Sequence, residues 1–144
     1  LRTSWVFSEY KNNFLKTILR ISKNLDQINI VGDQIGCPTY AQELAIATIK
    51  MIPKIKNKNL NGIYNFSSNV GYSWYDFANM IVDISKITGN DLSVKVNKIA
   101  TKDFPTTAIR PKNSLLDCKK FNSVFNYKHT LLEDCIMQAI KKTN

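Results

Sequence analysis

The apolar residues of this chain change their spacing repeatedly. Segments in which they alternate or run together give way to segments in which they recur every three or four positions, and that alternation restricts the fold to strands separated by helices. Residues 2–7 (RTSWVF) read as a strand, and residues 13–23 as a helix with Phe14, Ile18, Leu19 and Ile21 on one side. Residues 27–31 (QINIV) are β-rich and end at the turn signal Gly32-Asp33. Pro38-Thr39 opens a helix over residues 40–54, closed by Pro53 and a Lys/Asn run, and residues 62–68 form a short strand. Ser73 is a good N-cap for a helix over 74–88, with Gly89 as its stop. A strand follows at 94–99, then a loop at 103–113 imposed by Pro105 and Pro111, then a brief strand at 114–117. Two helices, 118–125 and 130–142, finish the chain.

The pattern implies an α/β fold with mainly parallel pairing. Its early part has too few strands for a self-contained doubly wound sheet, so the 2–7 and 27–31 strands are expected to have partners beyond this sequence. The first residue is Leu1 rather than Met, inside a strand. The expectation is a piece of a longer protein.

Charge and cysteine content narrow the function. With 20 Lys+Arg against 11 Asp+Glu the net charge is +9, which invites a nucleic-acid reading. Only Arg2, Arg20 and Arg110 are arginines, however, whereas base readout and bidentate phosphate recognition favour Arg. The lysines are scattered, and a general bias toward Lys, Asn and Ile explains them, so no specific nucleic-acid partner is expected. Cys37, Cys118 and Cys135 show no C-x-x-C spacing and His129 is the only histidine, so no zinc site assembles and free thiols in a reducing cytoplasm are expected. No apolar run approaches the ~20 residues of a membrane helix.

Three places carry candidate chemistry. Trp5 lies near a strand end where open α/β sheets present ligand groups, and reads either as a stacking surface for a sugar or nicotinamide ring or as a core residue. The stretch 33–40 (DQIGCPTY), between a strand and a helix start, reads either as an anion-facing loop or as an ordinary turn capped by Thr39. Arg110, in a proline-bracketed loop, suits a diphosphate bridge or a surface pair with Asp103 or Asp117. Missing are a G-x-G-x-x-G turn, a P-loop, a G-x-S-x-G elbow and any Tyr with Lys four positions on.

Read in order, Arg2-Thr3-Ser4-Trp5-Val6-Phe7, Asn12-Asn13-Phe14, Asp33-Gln34-x-Gly36-x-Pro38-Thr39-Tyr40, Gly62-Ile63-Tyr64, Ser73-Trp74-Tyr75-Asp76-Phe77-Ala78 and Pro105-Thr106 through Arg110-Pro111 to Leu116-Asp117 resemble the C-terminal half of the dTDP-4-dehydrorhamnose reductases. These are extended short-chain dehydrogenase/reductases. The resemblance covers the whole chain and implies a Rossmann-like fold without its N-terminal dinucleotide-binding half. Residues 1–144 would be the substrate-binding region, with strands in 1–31 belonging to the larger sheet.

The activity implied for the parent is hydride transfer from NADPH (or NADH) to the C4 ketone of dTDP-4-dehydro-L-rhamnose, giving dTDP-L-rhamnose for polysaccharide. The Tyr that donates the proton and its Lys would precede Leu1, so the isolated chain is expected to be inactive and to hold no cofactor tightly. Position by position, Thr3 and Ser4 would line the nicotinamide, Trp5 would pack on the sugar, and Asn13 would approach the phosphates. Gln34 and Thr39 would shape the sugar pocket, and Arg110 would clamp the diphosphate. Ser8 departs from the family's Gly after the aromatic. The resemblance is compatible with a cytoplasmic homodimer and with Mg2+. The competing reading is a non-catalytic partner-binding protein of the same fold family, like the β subunit of methionine adenosyltransferase.

Overall fold

The computed structural model describes residues 1–90 and 92–143. Its elements are β1 (Val6–Phe7), α1 (Phe14–Ile21), β2 (Gln27–Val31), β3 (Ile35–Gly36), β4 (Thr39–Tyr40), α2 (Ala41–Met51), β5 (Tyr72–Ser73), α3 (Trp74–Ile87), β6 (Lys95–Ile99), α4 (Lys119–Phe125) and α5 (Leu132–Lys141). Short 3-10 turns occupy Ile52–Lys54, Lys58–Leu60 and Thr101–Asp103. No helix among the described residues is long and apolar enough to cross a membrane.

The strands pair two by two: β1 with β4 and β2 with β6 in parallel, β3 with β5 antiparallel. Both strands expected to have partners beyond this sequence have one partner inside it, and one of the two is shorter than expected. The 27–31 strand finds a partner inside the chain, because β6 aligns with all five of its residues, Gln27 opposite Lys95 through Val31 opposite Ile99. The 2–7 strand also finds one, but it is broken: Trp5 takes a left-handed φ of 45°, leaving only Val6 and Phe7 beside Thr39 and Tyr40. Arg2, upstream of the break, forms an isolated parallel bridge with Asn65.

The expected strand at 62–68 reduces to that bridge, since Gly62 at φ 146° turns the chain just before it. The expected strand at 114–117 is likewise absent. Its place is taken by a bridge between Asn113 and Ile35, with Ser114 N–H donating to the Ile35 carbonyl at 2.8 Å.

Two apolar clusters hold these short strands. In the larger, α1, α3 and α5 bury Leu15, Ile18, Phe77, Ile81, Ile136 and Ile140 against Phe7 and Ile28. The stripe expected for α1 is the face it turns to the cluster, whereas Ile87 at the end of α3 and Leu131 ahead of α5, expected on the apolar sides of their helices, are exposed. At the start of α3 the Ser73 hydroxyl accepts from Asp76 N–H at 3.0 Å, and the Asp76 carboxylate accepts from Ser73 N–H at 3.1 Å. This reciprocal cap satisfies two otherwise free amide donors. It also fixes Trp74 one residue beyond the strand β5.

The smaller cluster packs Ala47 of α2 against Tyr64, Phe66, Phe121, Phe125 and Tyr127. Beside it, Glu43 accepts from Tyr127 and Thr130 hydroxyls, both at 2.8 Å, and His129 Nε2 lies 2.8 Å from Asn122 Oδ1. Burial pulls the His129 pKa below its ordinary 6.5, although the Glu43 charge pulls the other way. The depressed value has a sign for stability. The unfolded chain binds the proton more readily, so stability falls as pH drops through 6.5 toward the lower folded value. Urea unfolding is expected to show a lower midpoint at about pH 5.5 than at about pH 7.5, and His129→Gln to flatten that difference. An identical pH slope in wild type and variant would assign the effect to other groups.

Candidate functional site

The segment 33–40 is a hub to which four other parts of the chain are tied. It leaves β2 at the Gly32 turn and runs through β3 into β4, and Gly36, Cys37, Pro38, Thr39 and Tyr40 are all buried. Asp33 Oδ1 accepts from Thr101 N–H at 2.9 Å and from its hydroxyl at 2.6 Å. Those hydrogen bonds hold the Asp33 carboxyl below its ordinary pKa. Gln34, 8% exposed, donates its amide to the Thr101 hydroxyl at 3.1 Å.

Ile35 N–H donates to the Lys112 carbonyl at 2.8 Å, and β5 pairs along the same strand. The Cys37 carbonyl accepts from Ser4 Oγ at 3.0 Å and from Thr39 Oγ1 at 3.2 Å, while Thr39 N–H donates to the Trp5 carbonyl at 3.1 Å. Ser4, Trp5, Gln34 and Thr39 thus lie on or against this one segment, with Gln34 and Thr39 themselves buried. Thr3 is exposed beside them.

Trp5 is held on both sides. Its indole stacks on Trp74 with ring centroids 3.5 Å apart and planes 7° from parallel. A Cβ built on Gly36 would lie 2.3 Å from Cε2 and 2.5 and 2.7 Å from the two atoms flanking it, Cζ2 and Nε1. A point nearest to the central atom of three bonded ring atoms sits over the ring face, since in the plane the outer two would be nearer. Gly36 therefore covers part of one face of the indole and Trp74 covers the other. Trp74 is in turn packed on Phe14, with centroids 4.6 Å apart.

Asn13 and Arg110 lie outside this hub. Asn13 caps α1: its Oδ1 accepts from Lys16 N–H at 3.2 Å, and its Nδ2 donates to the Ser8 and Tyr10 carbonyls at 2.8 and 3.1 Å. A phosphate at Asn13 would compete with those three bonds. Arg110 is exposed, in a stretch 102–112 that is exposed throughout. Both ends of its loop nevertheless return to the hub, one through Thr101 on Asp33 and Gln34, the other through Lys112 on Ile35.

Other reactive groups stay out of play. Burial pushes the Cys118 thiol up and the Cys135 thiol up to about 12, and it raises the Tyr40 hydroxyl, which donates to Glu9 Oε2 at 3.1 Å. Among the described residues, no three His, Cys, Asp or Glu side chains gather to hold a metal ion. Sequence reasoning missed Trp74 as part of the site, and it missed Gly36 as the surface beneath Trp5. The one available signal was that Trp74, one of two tryptophans, follows a helix N-cap directly.

A family model described as the RmlD substrate binding domain matches residues 1–144. The chain is 46% identical over 130 residues to the dTDP-4-dehydrorhamnose reductase of Aggregatibacter actinomycetemcomitans, covering 87% of this chain and 44% of that protein. It is 37% identical to the Escherichia coli K12 enzyme of the same name, covering 86% of this chain and 42% of that protein. The chain thus spans less than half the length of these relatives and matches their C-terminal part.

Among solved structures, a dTDP-4-dehydrorhamnose reductase from Clostridium acetobutylicum superposes with a TM-score of 0.85 at 31% identity, covering 97% of this chain and 46% of that one. The Bacillus anthracis reductase, solved in complex with NADP, gives 0.79 at 31% identity over 99% of this chain and 47% of that one. A UDP-glucuronic acid 4-epimerase from Bacillus cereus, at 18% identity and a TM-score of 0.64, shares the fold alone. The α/β architecture is that of extended short-chain dehydrogenase/reductases, and the chain belongs to the RmlD substrate binding domain family.

Proposed function

We propose that this chain supplies the sugar-nucleotide side of a reductase that turns dTDP-4-dehydro-L-rhamnose into dTDP-L-rhamnose with NADPH. The observation that carries the reading is the family match over all 144 residues. The geometry agrees with it: the 33–40 hub gathers Ser4, Trp5, Gln34 and Thr39, and both ends of the Arg110 loop are rooted on it. In this reading the uncovered part of the Trp5 indole and the Gln34–Thr39 segment bound the sugar, and Arg110 reaches the diphosphate. The enzyme works in the cytoplasm, and strands in residues 1–31 extend a larger sheet.

The fit to NADPH is partial. Thr3 offers an exposed hydroxyl, whereas the Ser4 hydroxyl proton is already engaged with Cys37. These two suit the nicotinamide edge, where the cofactor when bound supplies the hydride. No glycine-rich turn for its diphosphate and no Tyr-x-x-x-Lys pair lie within the 144 residues.

Two measurements test the proposal. Titration calorimetry of this chain with dTDP-L-rhamnose is expected to show saturable binding, and the chain is expected not to oxidise NADPH in the presence of the 4-keto sugar. Absence of binding would favour a partner-binding regulator of the same fold. Turnover near that of a full-length reductase would contradict the division of labour between the halves.

A further inference from the structure

Trp5 hangs from the rest of the molecule in an unusual way. Its φ of 45° is uncommon for a bulky aromatic residue and breaks the strand, so the neighbouring ladder does not orient its side chain. The indole instead meets the core through other rings. Phe77, fully buried in the larger cluster, packs on Phe14 with centroids 5.4 Å apart; Phe14 packs on Trp74 at 4.6 Å; Trp74 stacks on Trp5 at 3.5 Å. Gly36 lies against part of the far side.

We propose that Trp74 is a positioning residue for sugar recognition: packed on Phe14 and fixed at the start of α3 by the Ser73–Asp76 cap, it sets the plane of the Trp5 indole so that the part of that ring not covered by Trp74 and Gly36 meets the pyranose of a nucleotide sugar. This rests on the pocket reading given above. A centroid separation of 3.5 Å with nearly parallel planes means the rings overlap almost fully, without the offset that ring quadrupoles favour. The overlap is therefore held by what surrounds the pair: the left-handed backbone at Trp5, the absent side chain at Gly36 and the Phe14 ring behind Trp74. The arrangement also makes the opposite reading distinguishable. If Trp74 merely covered a face that the sugar needs, removing it would improve binding.

The test uses this chain with Trp74→Ala and Trp74→Phe and two readouts. In ligand-free protein labelled with nitrogen-15, either variant leaves a single indole N–H, that of Trp5. Its resonance is expected to shift and broaden in Trp74→Ala and to return close to its wild-type position in Trp74→Phe, which restores a ring against it. In calorimetry with dTDP-L-rhamnose, Trp74→Ala is expected to bind about five- to tenfold more weakly, with Trp74→Phe recovering most of the loss.

A Trp5 resonance in Trp74→Ala that stays as sharp as in wild type overturns the proposal whatever the sugar does, since loss of the Trp74 ring current shifts it in either case, and so does tighter binding by that variant. If wild type binds no dTDP-L-rhamnose, the pocket reading fails and the sugar role of Trp74 fails with it. A resonance that still broadens in that case isolates the fault to the pocket reading and leaves the ring-on-ring orientation standing.

Discussion

Gly36→Ala is expected to destabilise the chain by about 1–3 kcal/mol and to lower its Tm by roughly 3–12 °C, with a matching loss of dTDP-L-rhamnose binding. The new methyl group would sit 2.3 Å from Trp5 Cε2, where no carbon can remain. A flexible side chain would swing aside at little cost, but the indole is rigid and backed by Trp74. Gly36 itself is pinned within β3, opposite Tyr72 of β5. Either the indole leaves its stack or the β3–β5 pair opens, and both outcomes disturb the hub around Trp5, where the proposed sugar pocket lies.

Gly32→Ala is the control. Its methyl group would also collide, at 2.3 Å, but with the stem of Lys98, an exposed and flexible side chain that can rotate away. Thermal unfolding and calorimetry on the two variants should separate them clearly. Equal Tm values for Gly36→Ala and Gly32→Ala would remove the argument for a glycine-dependent Trp5 position.

How far the sequence reached depends on the range of the forces involved. The helices were legible from local signals: Ser73 and Gly89 bracket α3, and Leu132, Cys135, Ile136 and Ile140 mark the buried side of α5. The parallel partnership of β2 with β6 was not legible, since strand pairing is a long-range choice that neither strand encodes alone. The break at Trp5 was hidden for the same reason. RTSWVF has the composition of a strand, and the left-handed turn within it answers to Trp74 and Gly36, far along the chain. At the site, the family motifs pointed to the 33–40 segment and Arg110, but not to Thr101 and Lys112, whose hydrogen bonds root the Arg110 loop on that segment.

Arg110→Ala is expected to weaken dTDP-L-rhamnose binding roughly ten- to hundredfold, since a charge-assisted hydrogen bond contributes about 1.5–3 kcal/mol and each tenfold in affinity is about 1.4 kcal/mol. The same change should leave stability within about 0.5 kcal/mol of wild type, because Arg110 is exposed and has no hydrogen-bond or ion-pair partner among the described residues. That pairing of a large binding effect with a silent Tm distinguishes a ligand contact from a structural arginine bonded to Asp103 or Asp117. The loop geometry explains how an exposed residue can serve the site. Its ends are rooted two residues apart on the hub, through Thr101 on Asp33 and Lys112 on Ile35, so both ends of the arc stay beside that segment. Arg110→Lys should recover only part of the affinity, because an ammonium supplies charge without the planar fork that grips a diphosphate. Raising the salt should weaken wild type more than Arg110→Ala, since screening acts on the exposed charge that the variant lacks. If calorimetry gave Arg110→Ala and wild type the same affinity, the diphosphate would have to be held elsewhere, and the scattered lysines rather than this arginine would be the place to look.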